Sequence, residues 1–169
     1  FGALKVQVGL ANCVLTRQEG GMEGGEGAIS YYLYRGITVL AGPWVRWMLY
    51  HRVRNGREEE GRIGERFGQA SAMRPDGSLV WFHAASVGEL LSLLTLLRAL
   101  PPNLPPFSAL VTTGTVSSAE LAAKRLPPGC MHQYAPIDLP AAVRNFLDYW
   151  QPELAVRVES ELWPLQIVE

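Results

Sequence analysis

From residue 70 onward, short apolar runs alternate with stretches whose apolar residues recur every three or four positions, a pattern that predicts strands and helices in turn. Arg74-Pro75-Asp76-Gly77 reads as a turn, and LVWFHAA at 79–85 as a buried strand. Residues 89–100 form a predicted helix with Leu90, Leu93, Leu94 and Leu97 at helical spacing, ended by the proline-rich PPNLPP at 101–106. A second strand is expected at 108–113, and a second helix at 117–126, stopped by Pro127-Pro128-Gly129. A short third strand at 131–134 leads through Asp138-Leu139-Pro140 into a third helix at 141–150, and a fourth strand follows at 154–158. Short connections between alternating strands and helices imply a parallel sheet covered on both faces, an α/β, Rossmann-like arrangement. No internal repeat is visible.

The pattern before residue 70 is different. Residues 1–30, with the acidic, glycine-rich run at 20–27, are expected to be a disordered or non-native extension. The chain begins at Phe1, Met22 is the expected start, and no basic start leads into an apolar stretch and small-residue site as in a secretory signal. Residues 31–50 (YYLYRGITVLAGPWVRWMLY) are apolar and aromatic, but the uncharged part runs only over 36–45, well short of the ~20 residues of a spanning helix. Tyr31, Tyr32, Tyr34, Trp44, Trp47 and Tyr50 near its ends suit a headgroup interface, Arg35 and Arg46 can snorkel, and Pro43 would kink a helix there. An anchor lying in a membrane surface and a helix packed on the protein's own core both fit, and the aromatic residues favour the first. In residues 51–68, Arg52, Arg54, Arg57, Arg62 and Arg66 follow the apolar segment as in a stretch facing anionic headgroups. Glu58, Glu59, Glu60 and Glu65 dilute that charge, so a solvated, salt-bridged helix is the better reading on charge alone. The expected organisation is therefore an extension at 1–30, a membrane-associating and charged segment at 31–68, and a Rossmann-like domain at 69–169.

Composition narrows the function classes. Hydrophobic residues make up 48% and charged residues 18% of the 169, which excludes a largely disordered chain. Fifteen basic against sixteen acidic residues, a net charge of -1, argue against nucleic-acid binding held by phosphate contacts. Cys13 and Cys130 lie far apart with no metal-ligand spacing to His51, His83 or His132, so neither a disulfide framework nor a bound metal is expected. No G-x-G-x-x-G follows a strand and no G-x-x-x-x-G-K-[ST] occurs, so neither a dinucleotide cofactor nor a P-loop is expected.

Three loops at strand ends, where open α/β sheets bind ligands, carry candidate chemistry. Ala84-Ala85-Ser86-Val87-Gly88-Glu89 offers free N–H groups to an anion and a carboxylate of the right type for a general base. Ser86-x-x-Glu89 is also a capping box, and spacing alone favours the cap. Residues 111–118 (VTTGTVSS) present hydroxyls and a glycine, Thr113 and Gly114 among them, but Ser117-x-x-Glu120 reads as a second capping box. Glu159-Ser160-Glu161-Leu162-Trp163-Pro164 places two carboxylates beside an apolar pair, fitting either sugar hydroxyls or an acidic helix start.

GRIGERFG, RPDGSLVWFHAASVGE, and LVTTGTVSS through HQYAPIDLP to ESELWP, in this order and spacing from about residue 31 to 164, resemble the N-terminal domain of Kdo (3-deoxy-D-manno-octulosonic acid) transferases. The chain departs from that pattern at Leu165, where the family has an amide. The resemblance implies the acceptor half of a two-domain, metal-independent, inverting GT-B glycosyltransferase. Such an enzyme moves Kdo from CMP-Kdo to a lipid A precursor in lipopolysaccharide biosynthesis, at the cytoplasmic face of an inner membrane. It implies Glu89 as general base and Glu159 in a supporting role, with Ser86, Gly88, Thr113, Gly114 and Glu161 lining the cleft. The C-terminal donor domain does not follow within the chain, so this half alone is expected to be inactive. The alternatives are a Rossmann-like domain for another nucleotide and a non-catalytic membrane-associated domain.

Overall fold

A computed structural model gives the structure, which describes residues 3–8, 11–16, 25–101 and 103–158. Two strands, β1 (Ala3–Val8) and β2 (Ala11–Thr16), precede a long helix, α1 (Gly25–Arg54). A 3-10 turn (Glu60–Arg62) and a single-turn helix, α2 (Ile63–Arg66), follow. The α/β succession is then β3 (Leu79–Ala84), α3 (Val87–Ala99), β4 (Ser108–Thr113), α4 (Val116–Arg125), β5 (Cys130–Tyr134), α5 (Pro140–Trp150) and β6 (Leu154–Val158). The six-stranded sheet has the order β1-β2-β6-β3-β4-β5. β6, β3, β4 and β5 are parallel, as expected for a Rossmann-like sheet, whereas β1 and β2 add an antiparallel edge on β6.

Alternation along β3 and β4 decides which helix covers which face. Phe82 and Ala84 of β3, with Ala109 and Val111 of β4, pack under Leu90, Leu93 and Leu94 of α3 and Ala122 of α4. Leu79, Trp81 and Leu110 point the other way, onto Phe146 and Trp150 of α5. Each of these fully buried large side chains contributes about 1.5–3 kcal/mol by leaving water, which is what holds the three layers together. The chain runs from β3 to β4 to β5 on one side and returns through α5 to β6 on the other side of β3. A switch point therefore lies at β3, and the carboxyl ends there form the crevice where such sheets bind ligands.

Two expectations are corrected. Residues 3–16, expected within a disordered or non-native extension, form the β1–β2 hairpin; Leu4, Val6 and Val8 alternate with Lys5 and Gln7, a half-buried strand pattern outweighed in the reading by the glycines that follow. Residues 51–68 are not a solvated helix. Glu58 and Arg66 are buried as an ion pair, with Arg66 also donating to loop carbonyl oxygens, and Glu65 is buried against Arg62 and the Tyr134 N–H.

α1 runs on through Pro43 and carries exposed Leu40, Trp44, Trp47 and Tyr50. No helix among the described residues is long and apolar enough to cross a membrane.

Candidate active site

At the carboxyl ends of β3, β4 and β5, beneath α1, lies a cavity of about 650 Å³. Its two sides differ in chemistry. α1 supplies Ala41, Trp44, Val45, Met48 and Leu49, an apolar wall, and the loops after β5 add Ile137 and Leu139. The sheet side supplies Glu58, Arg66, His83, Ser86, Glu89, Thr115 and Asp138.

The loop between β3 and α3 holds Glu89 by local hydrogen bonds. Ser86 is the N-cap, its hydroxyl accepting from the Glu89 N–H at 3.3 Å, as the capping-box spacing predicts. The Glu89 carboxylate folds back over the loop: Oε2 accepts from the Ala85 N–H at 2.7 Å and Oε1 from the Ser86 hydroxyl at 3.0 Å. A carboxylate offers about four lone-pair directions, so two remain for a ligand hydroxyl. Cap and base are therefore compatible roles at one residue.

The second loop, after β4, is capped differently from expectation. Thr115, not Ser117, is the N-cap of α4, its hydroxyl accepting from the Ser118 N–H at 3.2 Å. The helix starts two residues earlier than the spacing of Ser117 and Glu120 suggests, which leaves both inside it. Gly114 allows the two loops to touch, since a Cβ there would stand 2.7 Å from the Ala85 carbonyl oxygen.

The third component comes from the buried charges around α2. The Arg66 guanidinium donates to the carbonyl oxygens of Gly114 at 2.7 Å and Ala135 at 3.3 Å, and to Glu58 Oε2 at 3.0 Å. Glu58 also takes Arg52 Nη2 of α1 at 3.0 Å, so one carboxylate links the apolar wall to the sheet side. Glu65 accepts from Arg62 Nε at 2.8 Å and from the Tyr134 N–H, while the Tyr134 hydroxyl donates to Glu59 at 2.7 Å. Burial and the bond to Glu59 raise the Tyr134 phenol above its ordinary pKa. Arg62 and Arg66 stack on the Tyr134 ring at 4.6 and 4.4 Å.

Two histidines are held neutral. His132, between Arg62 Nη2 at 3.1 Å and Thr113 Oγ1 at 3.0 Å, is lowered to about 4 by burial and then by Arg62. His83, 5% exposed, is lowered to about 3 by burial and then by Arg157 and Arg66.

Of the residues expected in the site, the structure brings Ser86, Glu89 and Gly114 into the cavity wall. Thr113 is fully buried with its hydroxyl on His132, and Gly88 sits in the first turn of α3, outside the wall. Glu159 and Glu161 lie outside the described residues. Glu58, Arg66, Thr115 and His83 are not singled out by the sequence reading. For His83 a signal exists, since it is the one polar residue within LVWFHAA. Among the described residues no group of three His, Cys, Asp or Glu side chains is arranged to hold a metal ion.

Comparison with known proteins fits this geometry. A family model described as 3-deoxy-D-manno-octulosonic-acid transferase (kdotransferase) matches residues 61–169. A probable mitochondrial 3-deoxy-D-manno-octulosonic acid transferase of Arabidopsis thaliana is 41% identical over 138 residues, which are 82% of this chain and 31% of that protein. The 3-deoxy-D-manno-octulosonic acid transferase of Rickettsia bellii (strain RML369-C) is 36% identical over 81% of this chain and 33% of its own length. That of Haemophilus influenzae is 37% identical over 61% of this chain and 24% of its own length. The chain thus spans a third or less of these relatives, and no solved structure matches it. From the motif order, the parallel sheet and this match over most of its length, the chain belongs to the Kdo transferase family.

Proposed function

We propose that this chain is the acceptor-binding part of a glycosyltransferase that moves Kdo from CMP-Kdo to a lipid A precursor. The observation that carries the reading is the two-sided cavity: an apolar wall from α1 faces a polar wall that presents Glu89. A glycolipid acceptor has this same division, with acyl chains for the α1 side and a sugar for the sheet side. In the proposed reaction the Glu89 carboxylate takes the proton of the acceptor hydroxyl as that oxygen bonds to the anomeric carbon of Kdo. The bond from that carbon to the cytidylate oxygen breaks, and CMP leaves with the electron pair. The donor is bound by a second, C-terminal domain.

The exposed Leu40, Trp44, Trp47 and Tyr50 of α1 favour a resting place in a membrane interface, where the acceptor's chains stay in the bilayer. We place this at the cytoplasmic face of an inner membrane. Flotation with anionic vesicles tests the surface: wild-type chain should float, and a W44S/W47S variant should stay with the soluble fraction. Equal flotation of both would remove α1 from the membrane contact.

The chemical test is a transfer assay with CMP-Kdo and a tetraacylated lipid A precursor, run on the longest protein encoded in this reading frame. Glu89→Gln should lower transfer by roughly 10²–10⁴-fold, the ordinary worth of a general base. It should cost only about 1 kcal/mol of stability, since the amide keeps one of the two hydrogen bonds to the loop. Transfer unchanged in Glu89→Gln would leave that residue as a cap and end its assignment as base.

A further inference from the structure

We propose that His83 donates a hydrogen bond, from its Nε2–H, to a saccharide oxygen of the bound acceptor, and that Trp81 and Thr112 fix the tautomer that makes this possible. The inference rests on the reading of the cavity as the acceptor site.

The hydrogen-bond chain starts with a group that has no choice of role. An indole N–H only donates, and Trp81 Nε1 lies 2.8 Å from Thr112 Oγ1. The Thr112 hydroxyl then has one proton and two candidate acceptors. His83 Nδ1 stands at 2.9 Å, and the Phe82 carbonyl oxygen at 3.5 Å, at the limit of useful hydrogen-bond length. In the proposed arrangement the shorter contact takes the proton, so Nδ1 accepts and the ring's other nitrogen carries its hydrogen. Trp81, His83 and Thr112 are all buried on the same face of the sheet, which keeps water from competing for these contacts.

His83 also lines the cavity. His83 makes its one hydrogen bond within the described residues through Nδ1, so Nε2–H has no acceptor among them. Both neighbours in the same layer, Leu79 and Trp81, are apolar in bulk, so His83 is the layer's polar group at the cavity. The imidazole is also kept uncharged by burial and by the arginines that face it, Arg157 and Arg66. An uncharged donor orients a sugar oxygen without competing for the proton that Glu89 is proposed to take.

Nitrogen-15 NMR of the full chain labelled at histidine tests both halves. In the wild type, His83 Nε2 should show as protonated and Nδ1 as an acceptor, and Thr112→Val should remove that preference. Titration with a tetraacylated, bisphosphorylated glucosamine disaccharide in detergent micelles should then move the Nε2–H resonance saturably, together with the Ala85 and Ser86 amides. His83→Gln, which keeps a donor at the same reach, should bind this probe nearly as wild type, and His83→Phe about tenfold more weakly. If the Ala85 and Ser86 amides respond while Nε2–H stays still, or if micelles alone move it as far, the His83 assignment falls and the cavity reading stands. If none of these signals responds, the cavity is not the acceptor site and the assignment falls with it.

Discussion

Two carboxylates face the same cavity and are held in opposite ways. Glu89 is tied to residues three and four positions away, through Ser86 and Ala85, in a loop partly open to solvent. Glu58 is buried and held by Arg52 and Arg66, and Arg66 continues to carbonyl oxygens 48 and 69 residues further along the chain. The first arrangement is a local device that survives the loss of one bond. The second is a tertiary clamp: without it Gly114 and Ala135 lose their donor, and a charge is stranded in the interior. The difference shows how this site divides its labour. The reactive group stands on a short, self-contained loop, and the shape of the cavity around it is fixed by remote arginines.

The contrast is sharpest at Arg66. Arg66→Met should destabilise the fold by about 3–5 kcal/mol in denaturant titration, because it leaves Glu58 with Arg52 alone and frees two loop carbonyls. Adding Glu58→Met to that variant should recover part of the loss. If Arg66→Met costs no more than Glu89→Gln, the clamp is no stronger than the cap and the distinction fails.

Acid should act through the two neutral histidines beside the cavity. His83 and His132 have folded pKa values near 3 and 4, below their ordinary value near 6.5, so in the window between them the unfolded chain binds protons that the folded chain refuses. Stability should therefore be flat with respect to these groups above about pH 6.5 and fall as pH drops from there toward about 3. Unfolding free energies across that range should show a shallower slope for His83→Gln than for wild type.

The smallest effects separate two caps that look alike in sequence. Thr115→Ala should cost about 1 kcal/mol, the usual worth of an N-cap, whereas Ser117→Ala should stay within about 0.5 kcal/mol because its hydroxyl caps nothing. The reverse order in thermal melts would restore the Ser117 reading.

These cases also mark what the sequence made legible. The α/β alternation was readable because strands such as 79–84 and 108–113 are largely buried on both faces and carry short apolar runs, LVWF and ALV, between turn signals. The Ser86–Glu89 box was readable because its partners lie within four residues. Arg66 and Glu58 were not, since a stretch of five arginines and four glutamates has the composition of a wet surface, and only folding brings in the carbonyls that make burial tolerable. His83 was hidden inside an apolar run, and the relay that gives it direction comes from a neighbouring strand. The hairpin at 3–16 is followed directly by a glycine-rich run, and its partner strand, β6, lies at the far end of the domain, so no local signal ties it to the sheet.

One practical consequence concerns where to cut the gene. The family match begins at residue 61, yet the cavity's greasy side is built by α1, between Thr38 and Arg52. An expressed fragment trimmed to the family boundary for better solubility would keep Glu89, Ser86 and Gly114 in place. It would also delete a whole side of the vessel they open into, together with Arg52 and Glu58, and so take from Arg66 its carboxylate partner. Such a fragment offers a ligand an open shelf where the longer chain offers an enclosure, so ligand searches made with it would favour head groups and overlook tails.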